Sequence, residues 1–140
     1  MDLREATLDD APDVAALLTQ LGYPVDPETA RTRIAATDET VVLATDGSRV
    51  LALMALDSYR CIAYADPIMR ITSLVVGEGG RRAGVGRVLI EEARRRALAR
   101  GCQGLEVTSG IRAEREGAHA FYPAQGFQLN SHRYWMPLAG

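Results

Sequence analysis

The stretch that decides the fold is GEGGRRAGVGRVL, residues 77–89, in which five glycines and three arginines lie together. The preceding segment, IMRITSLVV (68–76), is β-branched and apolar, which predicts a strand. After the loop, apolar side chains recur at helical spacing as far as Arg100, and Gly101 ends that helix. GLEVTS (104–109) predicts another strand. This order predicts two parallel strands joined by a right-handed crossover.

The rest of the chain predicts a mixed sheet covered by helices. The other predicted elements, in chain order, are a strand in 2–8, helices over 11–22 and 27–36, strands over 39–45 and 49–59, a helix within 114–126 and two short strands within 127–138. The turn at Asp46-Gly47 joins the middle strands as a hairpin. We expect a single α/β domain, residues 1–140, with a central mixed sheet (α+β) in the order β-α-α-β-β-β-α-β-α-β-β.

Composition excludes several classes of protein. A net charge of −2 lacks the basic excess that a general nucleic-acid binder needs. The chain has no apolar run of the ~18 residues that a membrane span requires, and MDLREATLDD (1–10) is too polar for a secretory signal. Cys61 and Cys102 lie far apart and only two histidines are present, so no metal site is predicted. We expect a cytoplasmic protein that binds no membrane, nucleic acid or metal.

The glycine-arginine loop has the chemistry of an anion site. At a helix N-terminus the first N–H groups have no intrahelical partner, and the helix dipole is positive there. Glycines at 84 and 86 let a bulky anion approach, and Arg81, Arg82 and Arg87 supply counter-charge. A pyrophosphate is the natural ligand. A simple connector with solvated arginines is the alternative.

Three phosphate-loop patterns compete for this stretch. A Walker A loop fails because no Gly-Lys-Ser/Thr follows. A dinucleotide GxGxxG would need a third glycine where Leu89 stands, and the loop follows four strands rather than opening a domain. The pattern Arg/Gln-x-x-Gly-x-Gly/Ala is matched by Arg81, Gly84 and Gly86.

Two motifs together resemble the GNAT superfamily of acetyl-CoA-dependent N-acetyltransferases. SLVVGEGGRRAGVGRVLIEEA (73–93) resembles the family's central acetyl-CoA motif, and AHAFYPAQGF (118–127) resembles its C-terminal motif. The element order across nearly all of the chain also fits. The resemblance implies a GNAT-like fold and transfer of acetyl from acetyl-CoA to a primary amine, favouring a small molecule, by direct attack in a ternary complex.

The same resemblance implies roles for individual residues. The pyrophosphate of coenzyme A would bind Arg81, Arg82, Ala83, Gly84, Val85, Gly86 and Arg87. The pantetheine arm would pair with the backbone of Leu74, Val75 and Val76. An N–H at Val75 or Val76 would polarise the thioester carbonyl. Tyr122 would protonate the departing thiolate, which is coherent for a phenol of pKa ~10 beside a thiol of ~8.5.

The chain departs from the family pattern at the general base. Many members carry a glutamate on the fourth strand, where this chain has Arg70. Either the amine enters already neutral, or the base lies elsewhere, for which Glu106 and Asp57 on the neighbouring strands are candidates. The asparagine that often precedes the last helix is replaced by Arg115.

Four residues are expected to contact the acceptor amine: Tyr23 and Asp26 in the loop between the first two helices, Arg70, and His119 one turn before Tyr122. A turn held by Pro24 and Pro27, and a packing role for His119, explain the same residues without a ligand.

Other functions stay open from the sequence. An acyl-CoA-binding module without turnover would fit Arg70 at the base position, whereas Tyr122 argues against it. A nucleotide-binding protein would use the same loop, and the acceptor of an enzyme could be a protein N-terminus or a lysine. The family resemblance also implies a homodimer, for which Tyr134, Trp135 and Met136 could supply apolar contact.

Overall fold

The computed structural model of the chain describes residues 1–81, 83–108 and 116–139, with the side chains of all of these except 116–119. The chain divides into two compact units, Met1–Val107 and Thr108–Gly140. Organisation as a single domain stays a prediction.

The first unit contains a five-stranded sheet and three α-helices. The strands are β1 (Asp2–Glu5), β2 (Thr40–Asp46), β3 (Arg49–Tyr59), β4 (Ile68–Val76) and β5 (Gly104–Val107), and the helices are α1 (Ala11–Leu21), α2 (Pro27–Ala36) and α3 (Val85–Ala99). Short 3₁₀ turns cover Leu8–Asp10 and Glu78–Gly80. The strands lie in chain order; β4 and β5 are parallel and the other pairs antiparallel. The predicted mixed sheet and its parallel crossover are confirmed.

Local sequence signals account for most element ends. Asp26 caps α2 by accepting a hydrogen bond from the Thr29 N–H at 2.7 Å, and Pro27 opens the helix. Gly22 ends α1 with φ of 112°, a conformation that side chains other than glycine rarely adopt. The β2–β3 hairpin turns at Gly47, with φ of 60°.

The two faces of the sheet are buried by different helices. On one face, Val14 and Leu17 of α1 pack with Leu43, Leu53 and Val75 of three adjacent strands. Because side chains alternate along a strand, the neighbouring residues face the other side, where α3 packs against β3 and β4. The α3 stripe consists of Val85, Leu89, Ile90, Ala93 and Ala97, which are all buried. The amphipathic spacing predicted for this helix is therefore confirmed.

Strand β4 is irregular on both edges, and this shapes the first unit. Against β3, Ser73 pairs with Ala55 and Ile71 with Leu56, so Thr72 is an extra residue and forms a β-bulge. Against β5, pairing covers only Ile68–Ile71 and ends at Ile71 opposite Val107. The last part of β4 thus has β3 on one edge and no pairing with β5 on the other.

The described part of the second unit includes the helix α4 (Glu116–Ala124), as predicted. The two strands predicted within 127–138 are wrong, since residues 127–139 form no regular secondary structure. A strand requires a hydrogen-bonded partner strand, and no described strand pairs with this segment. Its apolar side chains are exposed: Leu129, Tyr134, Trp135, Met136 and Leu138.

An ion pair joins β1 to the start of α1. The Arg4 guanidinium donates two hydrogen bonds of 2.8 Å to the two oxygens of Asp10, and the Thr7 N–H donates a third at 2.8 Å. The hydrogen bond from Arg4 is the largest cause that lowers the pKa of Asp10 to about 2. Arg4 and Thr7 donate to the charged carboxylate and outweigh the opposing effect of burial on the pKa, so losing that charge costs stability.

We predict that Asp10→Asn lowers the free energy of unfolding at neutral pH by about 2 kcal/mol. The folded pKa lies below the unfolded value, so this stability is present above about pH 4 and is lost as the pH falls towards 2. Urea unfolding at several pH values measures it. Asp9→Asn, an exposed neighbour, is the control; an equal loss in both variants would contradict the prediction.

Candidate functional site

Beyond Ile71, the edge of β4 that faces away from β3 has no pairing with β5, and this open edge presents backbone groups. The Gly77 N–H donates to the Leu51 carbonyl on β3 at 2.8 Å. Peptide groups of successive residues point to alternate edges, so Val75 also faces β3, whereas Leu74 and Val76 face the edge beyond the β5 pairing. One group there has a partner, because Gln20 of α1 donates to the Val76 carbonyl at 2.9 Å.

The glycine-arginine loop continues from this edge into α3. Its turns use the amides of Gly80, Arg81 and Ala83, which donate to carbonyls three residues earlier. The first helical bond of α3 runs from the Val88 N–H to the Gly84 carbonyl at 3.1 Å. The amides of Val85, Gly86 and Arg87 precede that bond and point past the helix end.

The loop's glycines serve different purposes. A Cβ at Gly80 would lie 3.2 Å from the Leu51 and Val76 side chains, so Gly80 permits close packing under the loop. Gly84 has φ of 73°, so it supplies the left-handed turn into α3. Apart from Gly84 and its chain neighbours, no atom of the described residues lies within 4 Å of the point that a Cβ would occupy. Arg81 and Arg87 are exposed beside that turn, and Arg82 lies outside the described residues.

Arg70, which stands at the usual base position, forms a polar cluster with β3 and β5. Its Nε donates to Glu106 Oε1 at 2.6 Å, and the Tyr59 hydroxyl donates to the same oxygen at 2.6 Å. The Arg70 guanidinium also lies 4.9 Å from the centre of the Tyr59 ring. Glu106 therefore has a cationic partner of its own, while Asp57 lies opposite Arg70 and is exposed.

Of the remaining acceptor-site predictions, Tyr23 and Asp26 have described side chains. Tyr23 is 58% exposed, and Asp26 caps α2. Neither residue lines the apolar cavity between α1, α2 and the sheet. Arg115 and the His119 side chain lie outside the described residues.

Tyr122 has a defined setting within the second unit. Its ring packs edge-on against Phe121 and Phe127, with ring centres 5.4 and 5.7 Å away. The Phe127 N–H donates back to the Tyr122 carbonyl at 3.2 Å, across a turn in which Gly126 has φ of 98°. The FYPAQGF segment thus holds the tyrosine ring between two aromatic neighbours.

The apolar cavity has a volume of about 360 Å³ and lies on the face of the sheet opposite α3. Its wall includes Val14, Leu18, Ile34 and Leu53. Glu39, which directly precedes β2, also lines it and accepts a hydrogen bond from the Thr72 hydroxyl at the bulge. Local sequence carried no signal for Glu39, since the register of three strands brings it to Thr72.

The described part of the chain contains no group of three His, Cys, Asp or Glu side chains placed to hold a metal ion. No helix in it is long and apolar enough to cross a bilayer. Cys61 and Cys102 are free thiols.

Comparison with known proteins identifies the family. A model of the Acetyltransferase (GNAT) family matches residues 6–127, so this chain belongs to that family. No curated protein matches. The predicted resemblance and the acetyltransferase class are therefore confirmed.

Solved structures share the fold over essentially the whole chain. A transcriptional regulator from Bacillus halodurans aligns with a TM-score of 0.82 and 21% identity, covering 98% of this chain and 99% of that chain. An acetyltransferase from Trypanosoma brucei aligns at 0.78 and 20%, covering 98% and 99%. An aminoglycoside acetyltransferase from an uncultured soil sample aligns at 0.75 and 18%, covering 99% and 98%. At these identities the likeness shows the fold alone.

The cluster of Arg70, Tyr59 and Glu106 leads to a prediction about the pKa of Tyr59. The hydrogen bond to Glu106 is the largest cause that raises the pKa of Tyr59. We predict that Glu106→Gln lowers the Tyr59 pKa, because the carboxylate no longer opposes the phenolate while Arg70 still attracts it. Ultraviolet difference titration against the same protein carrying Tyr59→Phe isolates this tyrosine. An unchanged midpoint would show that Glu106 does not control it.

Proposed function

We propose that this chain transfers acetyl from acetyl-CoA to the primary amine of a small molecule, by direct attack in a ternary complex. The observation that carries the proposal is the loss of β4–β5 pairing after Ile71, directly before a basic loop and a helix N-terminus. An extended ligand arm can pair along such an edge and place a pyrophosphate at that helix end. Acetyl-CoA, when bound, supplies a thioester as acetyl donor.

The described residues fit the anionic end of that ligand. The amides of Val85, Gly86 and Arg87 point past the helix end, and Gly84 leaves space in front of them. Arg81 and Arg87 add positive charge to the site. The N–H groups of Arg81 and Ala83 donate within the loop turns, so Arg81 would contribute its charged side chain and Ala83 would contribute only contact with the ligand.

Successive peptide groups of β4 point to opposite edges of the strand, which decides which of the predicted backbone groups can contact the ligand. Of the two candidates for polarising the thioester carbonyl, Val76 is favoured, because the Val75 peptide groups face β3. The pantetheine arm would pair with Leu74, since the Val76 carbonyl already accepts from Gln20 and the Val76 N–H would face the thioester carbonyl. A fixed N–H in this position stabilises developing negative charge on the carbonyl oxygen.

Tyr122 is proposed as the acid that protonates the departing thiolate. The support is the family alignment of FYPAQGF and the packing of the ring between Phe121 and Phe127. Two aromatic neighbours restrict the ring's orientation, as a proton donor requires.

An acyl-CoA-binding module without turnover is the rival proposal. Arg70 favours it, because a guanidinium cannot accept a proton and its neighbour Glu106 is already hydrogen-bonded twice. Acceptors on proteins, either N-termini or lysines, are a further alternative. The small molecule is favoured because one structural neighbour is an aminoglycoside acetyltransferase and the cavity on the α1–α2 face has a small-molecule volume.

We further propose a cytoplasmic homodimer, in line with the family resemblance. The exposed side chains of Tyr134, Trp135 and Met136 form an apolar surface of the kind that a second copy would cover. Arg133 stacks on Trp135, with its guanidinium 4.9 Å from the ring centre, which adds a charge at the edge of that surface.

The loop can be tested by calorimetric titration with acetyl-CoA. We expect micromolar binding to the wild type and binding at least about a hundredfold weaker to Gly84→Glu, which sets a carboxylate against the pyrophosphate and obstructs the amides. The matched control is Gly101→Glu. Gly101 has φ of 72°, against 73° at Gly84, and at both glycines a Cβ would lie more than 4 Å from every described residue other than its chain neighbours.

Because both variants impose a similar backbone strain, a difference between them isolates the ligand. Equal binding by Gly84→Glu and Gly101→Glu would mean that the loop is only a connector. Binding of adenosine nucleotides as tight as that of acetyl-CoA would instead favour a nucleotide-binding protein.

The role of Tyr122 can be tested by kinetics. We expect Tyr122→Phe to lower kcat about a hundredfold, since general acid catalysis contributes at least that much, with the KM for acetyl-CoA unchanged. Release of the coenzyme A thiol in the presence of an amine measures the rate. Tyr134→Phe, an exposed tyrosine in the same unit, is the control. Full activity of Tyr122→Phe would assign the proton donor elsewhere.

A further inference from the structure

The face of the sheet beside the open edge of β4 carries three carboxylates in different situations. Glu106 is neutralised by Arg70 at 2.6 Å. Asp57 lies opposite Arg70 and is exposed. Glu39 is half-buried and accepts from the neutral Thr72 hydroxyl, and no cation among the described residues lies within ion-pair distance of it.

A partly buried carboxylate with only a hydroxyl partner retains most of its capacity to accept hydrogen bonds. Its two oxygens offer about four lone-pair sites, of which Thr72 uses one. Such a group is suited to a cationic ligand, because an ammonium can donate charge-assisted hydrogen bonds to the remaining lone pairs.

The surroundings of Glu39 indicate what carries the ammonium. The 360 Å³ cavity that it lines is walled largely by aliphatic side chains, among them Leu18, Ile34 and Leu53. Arg33 of α2 is on the same wall and is exposed to solvent. A smaller and more polar cavity of about 260 Å³ shares Glu39 as part of its wall. Glu39 therefore lies at the wall of an apolar cavity that suits a hydrocarbon chain and of a more polar one beside it.

The cavity also reaches the strand where transfer is proposed to occur. Ser73, on its wall, directly precedes Leu74 at the start of the open edge of β4. Thr72, which holds Glu39, is the bulge residue immediately before Ser73. A bulge redirects side chains locally, and here it places a hydroxyl where it can fix the carboxylate of a residue next to β2.

We infer that Glu39 binds the ammonium group of the acceptor and takes its proton, and that the acceptor is a primary amine carried on a hydrocarbon chain lying in this cavity. This inference rests on the proposed acetyltransferase function. It also explains how the chain can have Arg70 at the usual position of the base. The carboxylate would instead be that of Glu39, which directly precedes β2 and meets Thr72 of β4.

The proton balance closes without another reactant. The ammonium gives one proton to the Glu39 carboxylate, and desolvation in an apolar cavity eases this by lowering the ammonium pKa. The nitrogen then forms the C–N bond while the thioester C–S bond breaks. Tyr122 gives its phenolic proton to the sulfur and is restored by the second nitrogen proton. The proton on Glu39 passes to water.

The test uses the full chain and a series of linear amines from propylamine to hexylamine. We expect kcat/KM to rise roughly fourfold for each added methylene, following the free energy of burying a CH₂ group. Glu39→Gln should raise the KM for hexylamine roughly tenfold to a hundredfold, because a hydrogen bond between two charged groups is lost. The KM for acetyl-CoA should not change.

The matched control is Asp38→Asn, which removes the same charge from the neighbouring exposed residue, outside both cavities. Thermal unfolding of both variants checks that they fold. If Glu39→Gln and Asp38→Asn behave alike, or if the rate is independent of chain length, the inference is overturned.

Direct calorimetric binding of hexylamine separates this inference from the proposed function. If hexylamine binds Glu39→Gln at least tenfold more weakly than the wild type and no amine is acetylated, the amine site is supported and the proposed acetyltransferase activity is contradicted. Transfer to hydrophilic amines together with no binding of hexylamine would support the enzyme and overturn the amine site.

Discussion

Strand β4 must satisfy two neighbours that differ in length, and the rest of the first unit follows from that constraint. It pairs with β3 along its whole length but with β5 only over Ile68–Ile71. Backbone groups beyond that point need other partners, and Gln20 supplies one of them. The open edge, the tight glycine loop after it and the N-terminus of α3 are consecutive in the chain. A ligand with an extended arm and an anionic end matches that succession.

Close packing holds the loop in place at the end of this edge. Gly80 is buried against Leu51 and Val76, where a Cβ would be too close to both side chains. Gly84 then turns the chain into α3 through a left-handed conformation. The buried stripe of α3 fixes the helix on the sheet, so its N-terminal amides have a fixed direction. Anion binding at this point therefore depends on apolar packing elsewhere in the helix.

The bulge at Thr72 determines which polar side chains lie together on the face of the sheet opposite α3. It separates a neutralised cluster, in which Arg70 and Tyr59 hold Glu106, from the cavity lined by Glu39. A glutamate at position 70 would have placed the carboxylate on β4 itself. The present arrangement instead takes a carboxylate from beside β2, which the antiparallel register of β2, β3 and β4 brings within hydrogen-bonding distance.

The sequence by itself determined the elements, the parallel crossover and the family, because these depend on local signals. Hydrophobic periodicity placed α3, Pro27 placed the start of α2, and the GEGGRRAGVGRVL loop indicated an anion site. It failed for the strands within 127–138, because apolar residues form a strand only when another strand pairs with them. Only the tertiary structure decided where β4 and β5 separate, that Arg70 neutralises Glu106, and that Glu39 meets Thr72. Those contacts join residues more than thirty positions apart, and the register that creates them leaves no trace in local composition.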